Sequence, residues 1–264
     1  MAQTSLIDFF EASPPPLEKK METPVLSYSQ INTYQQCPLK YKYHYILQIP
    51  RPPKHYLSFG QSLHTTLDQF AKKYKERLQT VQFSDLLDLY VRSWLKEGYE
   101  DEKEEKDYWE TGKGILFAFL TQIKKQNPRI IDTEKRFKLN FDEFKLAGVI
   151  DRIDERKGEW VIIDYKTGKE EKPHFMKEDL QLPIYSLAAQ EIFGKKVRKV
   201  GRYYLKTLNE IIIEFSDDEL EQSKDNVETI AKQMFADEEF APKTSILCNY
   251  CDFKDICPKM QNNK

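Results

Sequence analysis

No stretch of this chain is long and apolar enough to cross a bilayer, and its first residues, MAQTSLIDFF, place no basic flank ahead of a long apolar run. Neither a membrane span nor a secretory signal is expected, and the expected compartment is the cytoplasm, nucleoid included. Nor is charge of one sign in excess: 41 Lys and Arg against 43 Asp and Glu leave a formal net charge of −2. That excludes coating of nucleic acid by bulk charge, so any such contact must use a local basic surface. Three short runs offer one: Lys40, Lys42 and His44; Lys135 and Arg136; and Lys195, Lys196, Arg198 and Lys199. Each taken singly reads as solvated surface, as does the mostly acidic run from Glu100 to Glu105. Cysteine is scarce, with four in 264 residues. In a chain of intracellular character this speaks against disulfides and for metal binding. No internal repeat, no helicase motif and no nucleophile elbow for Ser or Cys chemistry is present.

What is there is ample material for a core, since 40% of the residues are hydrophobic. Residues 1–24, with Ser13-Pro-Pro-Pro16 and the charges after it, read as a tail that forms no core. A helix begins near Ser27, with Ser27 or Ser29 as its cap, and Pro50-Arg-Pro-Pro53 ends it. Apolar spacing predicts further helices over Gly60–Arg77, Ser84–Tyr99 and about 103–126. The texture changes at Glu134, where Phe137, Leu139 and Phe141 alternate with polar residues. Strands are predicted from there, over Phe144–Asp154, Trp160–Lys166, Val197–Lys206 and Glu210–Phe215, with helices over Asp179–Phe193 and Asp217–Phe235. A helical part over about 25–130, an α/β part over about 131–240 and a Cys-rich segment over 241–264 follow.

The central pattern is Asp151, then twelve residues, then Asp164-Tyr165-Lys166. Strand side chains alternate, so Asp164 and Lys166 share a face at the end of the buried run Val161–Ile163. Asp151 likewise follows Val149 and Ile150, and Gly158 lets the chain turn back to bring the two carboxylates together. Paired carboxylates repel unless a cation lies between them. Mg²⁺ and Mn²⁺ favour such oxygen ligands, lower the pKa of bound water and stabilise charge developing on a phosphate. A lysine beside them orients or deprotonates the water. These are the parts of a phosphodiester hydrolase. A bare D-x-K is also what a surface hairpin shows when Asp151 pairs with Arg152 or Lys166, so the surrounding residues matter.

Gly148-Val-Ile-Asp-Arg-Ile-Asp154 followed by Val161-Ile-Ile-Asp-Tyr-Lys-Thr-Gly168 resembles the core of the PD-(D/E)XK nucleases, in particular the RecB-like branch that includes AddB and the CRISPR adaptation nucleases. Gly60-Gln-Ser-Leu-His64 resembles the branch's G-x-x-x-H motif, and Gln181-Leu-Pro-Ile-Tyr185 its Q-x-x-x-Y motif. Ser27-Tyr-Ser-Gln-Ile-Asn-Thr-Tyr-Gln-Gln-Cys-Pro38 resembles its opening segment. The resemblance covers about Leu26 to Pro258. It implies a restriction-endonuclease-like α/β fold with a central mixed sheet flanked by helices. It implies His64, Asp151, Asp164 and the Tyr165 carbonyl as ligands for Mg²⁺ or Mn²⁺. Lys166 would be the catalytic lysine, Gln181 and Tyr185 would position DNA or Lys166, and Glu134 would be a supporting acid.

Cys248-Asn-Tyr-Cys251, five residues, then Cys257-Pro258 form the C-terminal set, and Cys37 stands far upstream, also before a proline. Four thiolates suit zinc or an iron–sulfur cluster, and the ligands alone do not separate the two. The pattern is similar to the 4Fe–4S arrangement of the AddB-type and CRISPR adaptation nucleases, where the cluster staples the two ends of the chain together. Gln3-Thr-Ser-Leu6-Ile-Asp-Phe9-Phe10 resembles the PCNA-interacting peptide, through Gln3, Leu6, Phe9 and Phe10, and implies recruitment by a sliding clamp. The leading expectation is therefore a metal-dependent DNA exonuclease acting on ends or single strands in repair or replication, with any unwinding supplied by a helicase partner. Trimming of new CRISPR spacers, or a non-catalytic clamp- and DNA-binding role, are the alternatives.

Overall fold

The structure is a computed structural model, and it describes residues 23–261. A six-stranded mixed sheet lies between two layers of helices. This is the expected α/β class.

The chain enters through β1 (Val25–Ser27), a three-residue strand that sequence patterning does not reveal. Ser27 then caps α1 (Tyr28–Gln36) in a reciprocal capping box with Gln30. Cys37 breaks that helix, and α2 (Pro38–Tyr41) continues into a π-helical stretch over 42–46. Then α3 (His55–Tyr74) begins five residues ahead of the expected start, directly after Pro53 and Lys54. Helix α4 (Phe83–Ser93) ends six residues short of the predicted Tyr99. In α5 (Glu102–Gln126), Asp101 is the cap and Glu102, Glu104 and Glu105 fill the first turn. The acidic run therefore sits where the helix macrodipole favours it.

The sheet is built on the long hairpin of β2 (Arg129–Asn140) and β3 (Lys145–Arg156), paired antiparallel along their length. On its other edge β3 meets two partners in turn. Its start, Lys145–Ala147, pairs in parallel with β1, and its end, Arg152–Arg156, pairs antiparallel with β4 (Glu159–Lys166). The turn between β3 and β4 uses left-handed Lys157 and Gly158, with φ of 53° and 83°, as a tight hairpin requires. After α6 (Pro173–Glu178) and α7 (Gln181–Phe193), β5 (Lys199–Tyr204) pairs in parallel with β4, and β6 (Asn209–Glu214) closes the sheet. Last come α8 (Asp217–Ala236), two 3₁₀ turns that carry or flank the cysteines, and α9 (Pro258–Gln261).

Alternation along the strands divides the core. Val161, Ile163, Tyr165 and Tyr203 face α3, α4 and α5, packing on Phe59, Leu63, Phe70, Leu116 and Phe119. Ile150, Ile153, Ile162 and Val200 face the other way, onto Ile31 of α1, Leu182 and Ile184 of α7, and Val227 of α8. Among the described residues no helix is long and apolar enough to cross a membrane.

Candidate active site

The site lies where β3 and β4 part. Their last paired residues are Arg152 and Ile163. The next residues are Asp151 on β3 and Asp164 on β4, at the mouth of the fork. From there β4 runs on with β5 instead, pairing Asp164 with Arg202, Tyr165 with Tyr203 and Lys166 with Tyr204. The Tyr165 N–H, released from β3, donates to Asp151 Oδ2 at 2.8 Å. This bond fixes the Asp151 carboxylate and satisfies a backbone donor that the fork would otherwise orphan.

Three other elements converge on the fork. His64 of α3 brings Nδ1 to 3.4 Å from Asp151 Oδ2. Gly60, one turn earlier, lies close to the residue after β4, where an added Cβ would stand 3.3 Å from Thr167 Oγ1. Glu134 of β2 lies between the pairs Thr133–Arg152 and Lys135–Ile150, opposite Asp151. Its φ of 46° is left-handed, a strained conformation for a glutamate inside a strand. The ligating atoms of His64, Glu134 and Asp151 lie within 4.8 Å of one another. From α7, Gln181 Oε1 accepts from Lys166 Nζ at 2.9 Å, and its Nε2 donates to Tyr185 Oη at 2.9 Å. Tyr185 is itself buried, its ring edge-on to Phe137, so its place is behind Gln181.

The electrostatics follow from this crowding. Asp164 is 2% exposed. Burial pushes its carboxyl pKa up and Asp151 adds to the push, while Lys166 and His64 oppose it without cancelling it. Lys166 Nζ pairs with Asp164 Oδ2 at 2.7 Å, so that buried oxygen is held by an ion pair. Glu134 is raised by burial, then by Asp151 and Asp68. Burial disfavours the His64 imidazolium, yet Asp151 and Asp164 outweigh it and the net shift is upward. Carboxylates crowded together beside a histidine, two of them raised by burial and by Asp151, have the donor set of a hard divalent cation.

The competing salt-bridge hairpin is not what forms. Arg152 is fully buried and binds Asp154 through two nitrogens, at 2.8 and 2.6 Å, while its Nη1 donates to Tyr165 Oη at 2.8 Å. Lys166 turns to Asp164 and Gln181. Asp151 is thereby left to His64 and the Tyr165 backbone. The Tyr165 side chain sits in the helical-face core.

Sequence reasoning missed Arg202 and Asp179 and gave Glu134 only a supporting place. Arg202 is buried on β5 beside Asp164, with its two outer nitrogens on Glu171 and Asp179. A lone arginine inside the apolar run Val200–Leu205 was the available signal. The basic run at 195–199 is largely neutralised, because Lys196 and Arg198 both pair with Asp217 and Lys199 pairs with Glu159.

The four cysteines meet elsewhere. Cys37, from the break between α1 and α2, lines one pocket with Cys248, Cys251 and Cys257, and none is in a disulfide. Burial raises the Cys251 thiol pKa, and the neighbouring Cys37 adds to the shift. Among the described residues the sulfurs do not form a group as tight as the 4.8 Å set at the fork. Gln3, Leu6, Phe9 and Phe10 lie outside the described residues.

Residues 25–258 match the model of the PD-(D/E)XK nuclease superfamily. The chain belongs to that superfamily. It is similar to one component of an ATP-dependent helicase/deoxyribonuclease from Carboxydothermus hydrogenoformans, 29% identical over an alignment of 247 residues that covers 76% of this chain and 22% of the relative. The chain thus spans about a fifth of that relative's length. It is also 23% identical over 210 residues to the Gene 69 protein of Mycobacterium phage D29, covering 70% of this chain and 76% of that one. Among solved structures, a candidate exonuclease from Eubacterium rectale superposes with a TM-score of 0.53 over 96% of this chain and 93% of its own, at 14% identity. At that identity the likeness is one of fold. Superfamily and fold agree on a restriction-endonuclease-like α/β core of the PD-(D/E)XK type.

Proposed function

We propose that the protein is a Mg²⁺- or Mn²⁺-dependent deoxyribonuclease, an exonuclease acting on single strands or DNA ends. The observation that carries this reading is the fork itself. Asp151 and Asp164 flank its mouth, His64 and Glu134 reach Asp151, and Lys166 is held beside Asp164. Asp151, Asp164, His64 and the Tyr165 carbonyl would hold the ion, and Glu134 has the placement to join them. When bound, such an ion supplies an activated water and offsets charge on the scissile phosphate. The chain's own residues do the rest. The Tyr165 N–H holds Asp151 in place. Gln181, braced by Tyr185, keeps the Lys166 ammonium at the fork, where it can orient the attacking water and balance phosphate charge.

The cysteine pocket reads as a structural iron–sulfur site. Four thiolates lining one pocket support a shared metal group, and the similarity of their spacing to the 4Fe–4S arrangement of the AddB-type nucleases favours the cluster over zinc. A DNA substrate follows from the nuclease reading. The helicase in the name of the Carboxydothermus relative supports a helicase partner, and the Gln3–Phe10 motif supports recruitment by a clamp.

The test is digestion of single- and double-stranded DNA, labelled at the 5′ or the 3′ end, by anaerobically purified protein with Mn²⁺. Stepwise loss of nucleotides from an end is expected, and its abolition by chelation. Products independent of the metal would overturn the reading. In the same preparation, visible absorbance that bleaches with reductant is expected, and a colourless protein containing zinc would replace the iron–sulfur assignment.

A further inference from the structure

Behind the fork, the charged groups form a closed ring. Lys166 Nζ touches Asp164 Oδ2 at 2.7 Å and donates to Gln181 Oε1 at 2.9 Å. The Gln181 backbone N–H donates to Asp179 Oδ1 at 2.8 Å, so Asp179 secures the start of α7. The other oxygen of Asp179 accepts from Arg202 Nη2. Arg202 Nε, in turn, faces Asp164 Oδ2 at 3.9 Å. Five residues from three segments, β4, β5 and the entry to α7, thus close on one another.

Arg202 is the member that joins the other segments. It is 2% exposed, and a buried guanidinium needs a partner for every nitrogen. Nη1 goes to Glu171 in the loop after β4, Nη2 to Asp179, and Nε to no hydrogen-bond acceptor. The Arg202 charge faces Asp164 Oδ2 across 3.9 Å in the same buried space, where Lys166 Nζ pairs with that oxygen at 2.7 Å. Opposite charges this close attract strongly where water is excluded, so the carboxylate is set from behind by Arg202 while Lys166 meets it from the fork. The planar fork of arginine is needed for this, because a lysine cannot reach three acids in fixed directions.

We propose that Arg202 is a positioning residue for metal-dependent cleavage. It sets Asp164 for the ion and, through Asp179 and Gln181, sets Lys166. Arg202 acts through these side chains, and this inference rests on the metal-dependent nuclease reading of the fork.

The test uses the full chain with Arg202→Lys, which retains the charge, and Asp179→Asn, which breaks the ring at a partly exposed position. Circular dichroism and Tm identify the folded variants. Mn²⁺ binding is measured by calorimetry without DNA, with Asp151→Ala as the zero-binding reference. Cleavage by the same samples is split into kcat and KM. Expected is Mn²⁺ binding weakened about fivefold or more in Arg202→Lys, and kcat lowered about tenfold or more in both variants, with KM for DNA unchanged within twofold. A merely structural role would lower Tm and the active fraction, yet leave the Mn²⁺ affinity of the folded fraction alone. Wild-type Mn²⁺ affinity and kcat in both folded variants would overturn the proposal. If the wild-type protein binds Mn²⁺ but cuts no DNA, the nuclease reading fails, while the calorimetry still decides whether Arg202 sets the metal site.

Discussion

The fork and the cysteine pocket are both read as metal sites, but the protein around them is built differently. The fork lies inside a sheet whose strands reach 12 residues, between two helical layers. Its charged residues are held by protein partners from β2, β4, β5, α3 and α7. The segment after α8 has two 3₁₀ turns and a four-residue helix. Ile246 and Tyr250 stand 79% and 81% exposed there, and Phe253, edge-on to Tyr43, is its buried anchor. On the proposed reading, a metal serves chemistry where the chain has its own core and serves the fold where it has little.

The largest expected effects separate the two regions. Lys166→Ala and Asp151→Ala should each lower the cleavage rate on the order of 10³-fold. The sheet should survive, with Tm in the metal-free protein moving by no more than a few degrees. Kinetics and thermal melts of the same samples check this, and an unfolded Lys166→Ala would erase the distinction between the two regions. Cys248→Ser should do the reverse. It should remove the bound iron or zinc, lower Tm on the order of 10 °C and open residues 237–261 to limited proteolysis. Residual cleavage by the folded fraction should remain. Metal analysis, melts and proteolysis are the measurements.

The sequence revealed the fork better than its supports, for a physical reason. Strand alternation and the apolar run Val161–Ile163 are local signals, and they placed Asp164 and Lys166 on one face at the end of a buried strand, as found. Serine capping marked the start of α1 to within a residue. The three-residue β1 was hidden, because its existence depends on pairing with β3, far along the chain. The start of α3 was misplaced because Tyr56 and Leu57 lie exposed and break the apolar spacing. The separate α6 was not seen, since Met176 is its one buried residue and leaves no periodicity. The prominence of Glu134 comes from a left-handed backbone angle, and that of Arg202 from its register against Asp164. Neither property can be read along one segment.

Two smaller effects sharpen the comparison from the side of the fork. In the metal-free protein, His64 holds its proton to higher pH than a free imidazole, because Asp151 and Asp164 outweigh burial. The His64–Asp151 pair thus contributes stability that is fully present below the unfolded pKa of about 6.5. It is lost as pH rises through the raised folded value. A metal ion must displace that proton, so Mn²⁺ affinity should fall about tenfold per pH unit below the raised pKa. Calorimetry across about pH 6 to 8 measures this, and His64→Gln should flatten the dependence. Glu134→Asn should give the smallest change. Asparagine tolerates the left-handed angle and removes one of the clustered acids, so the metal-free protein should gain about 1 kcal/mol. Mn²⁺ binding should weaken at the same time. A gain in Tm without loss of affinity would remove Glu134 from the ion's surroundings.

The central claim, that the mouth of the fork is a metal-dependent catalytic centre for DNA cleavage, is tested most directly by Asp164→Asn. The change keeps size and shape, removes the charge and exchanges one acceptor oxygen for an N–H donor group. Wild-type and variant protein are compared on end-labelled single-stranded DNA at saturating Mn²⁺, with Tm recorded for both. The account predicts a folded variant whose cleavage is reduced on the order of 10³-fold or more, with product from the wild type vanishing on chelation. A folded Asp164→Asn that degrades DNA at the wild-type rate would contradict it.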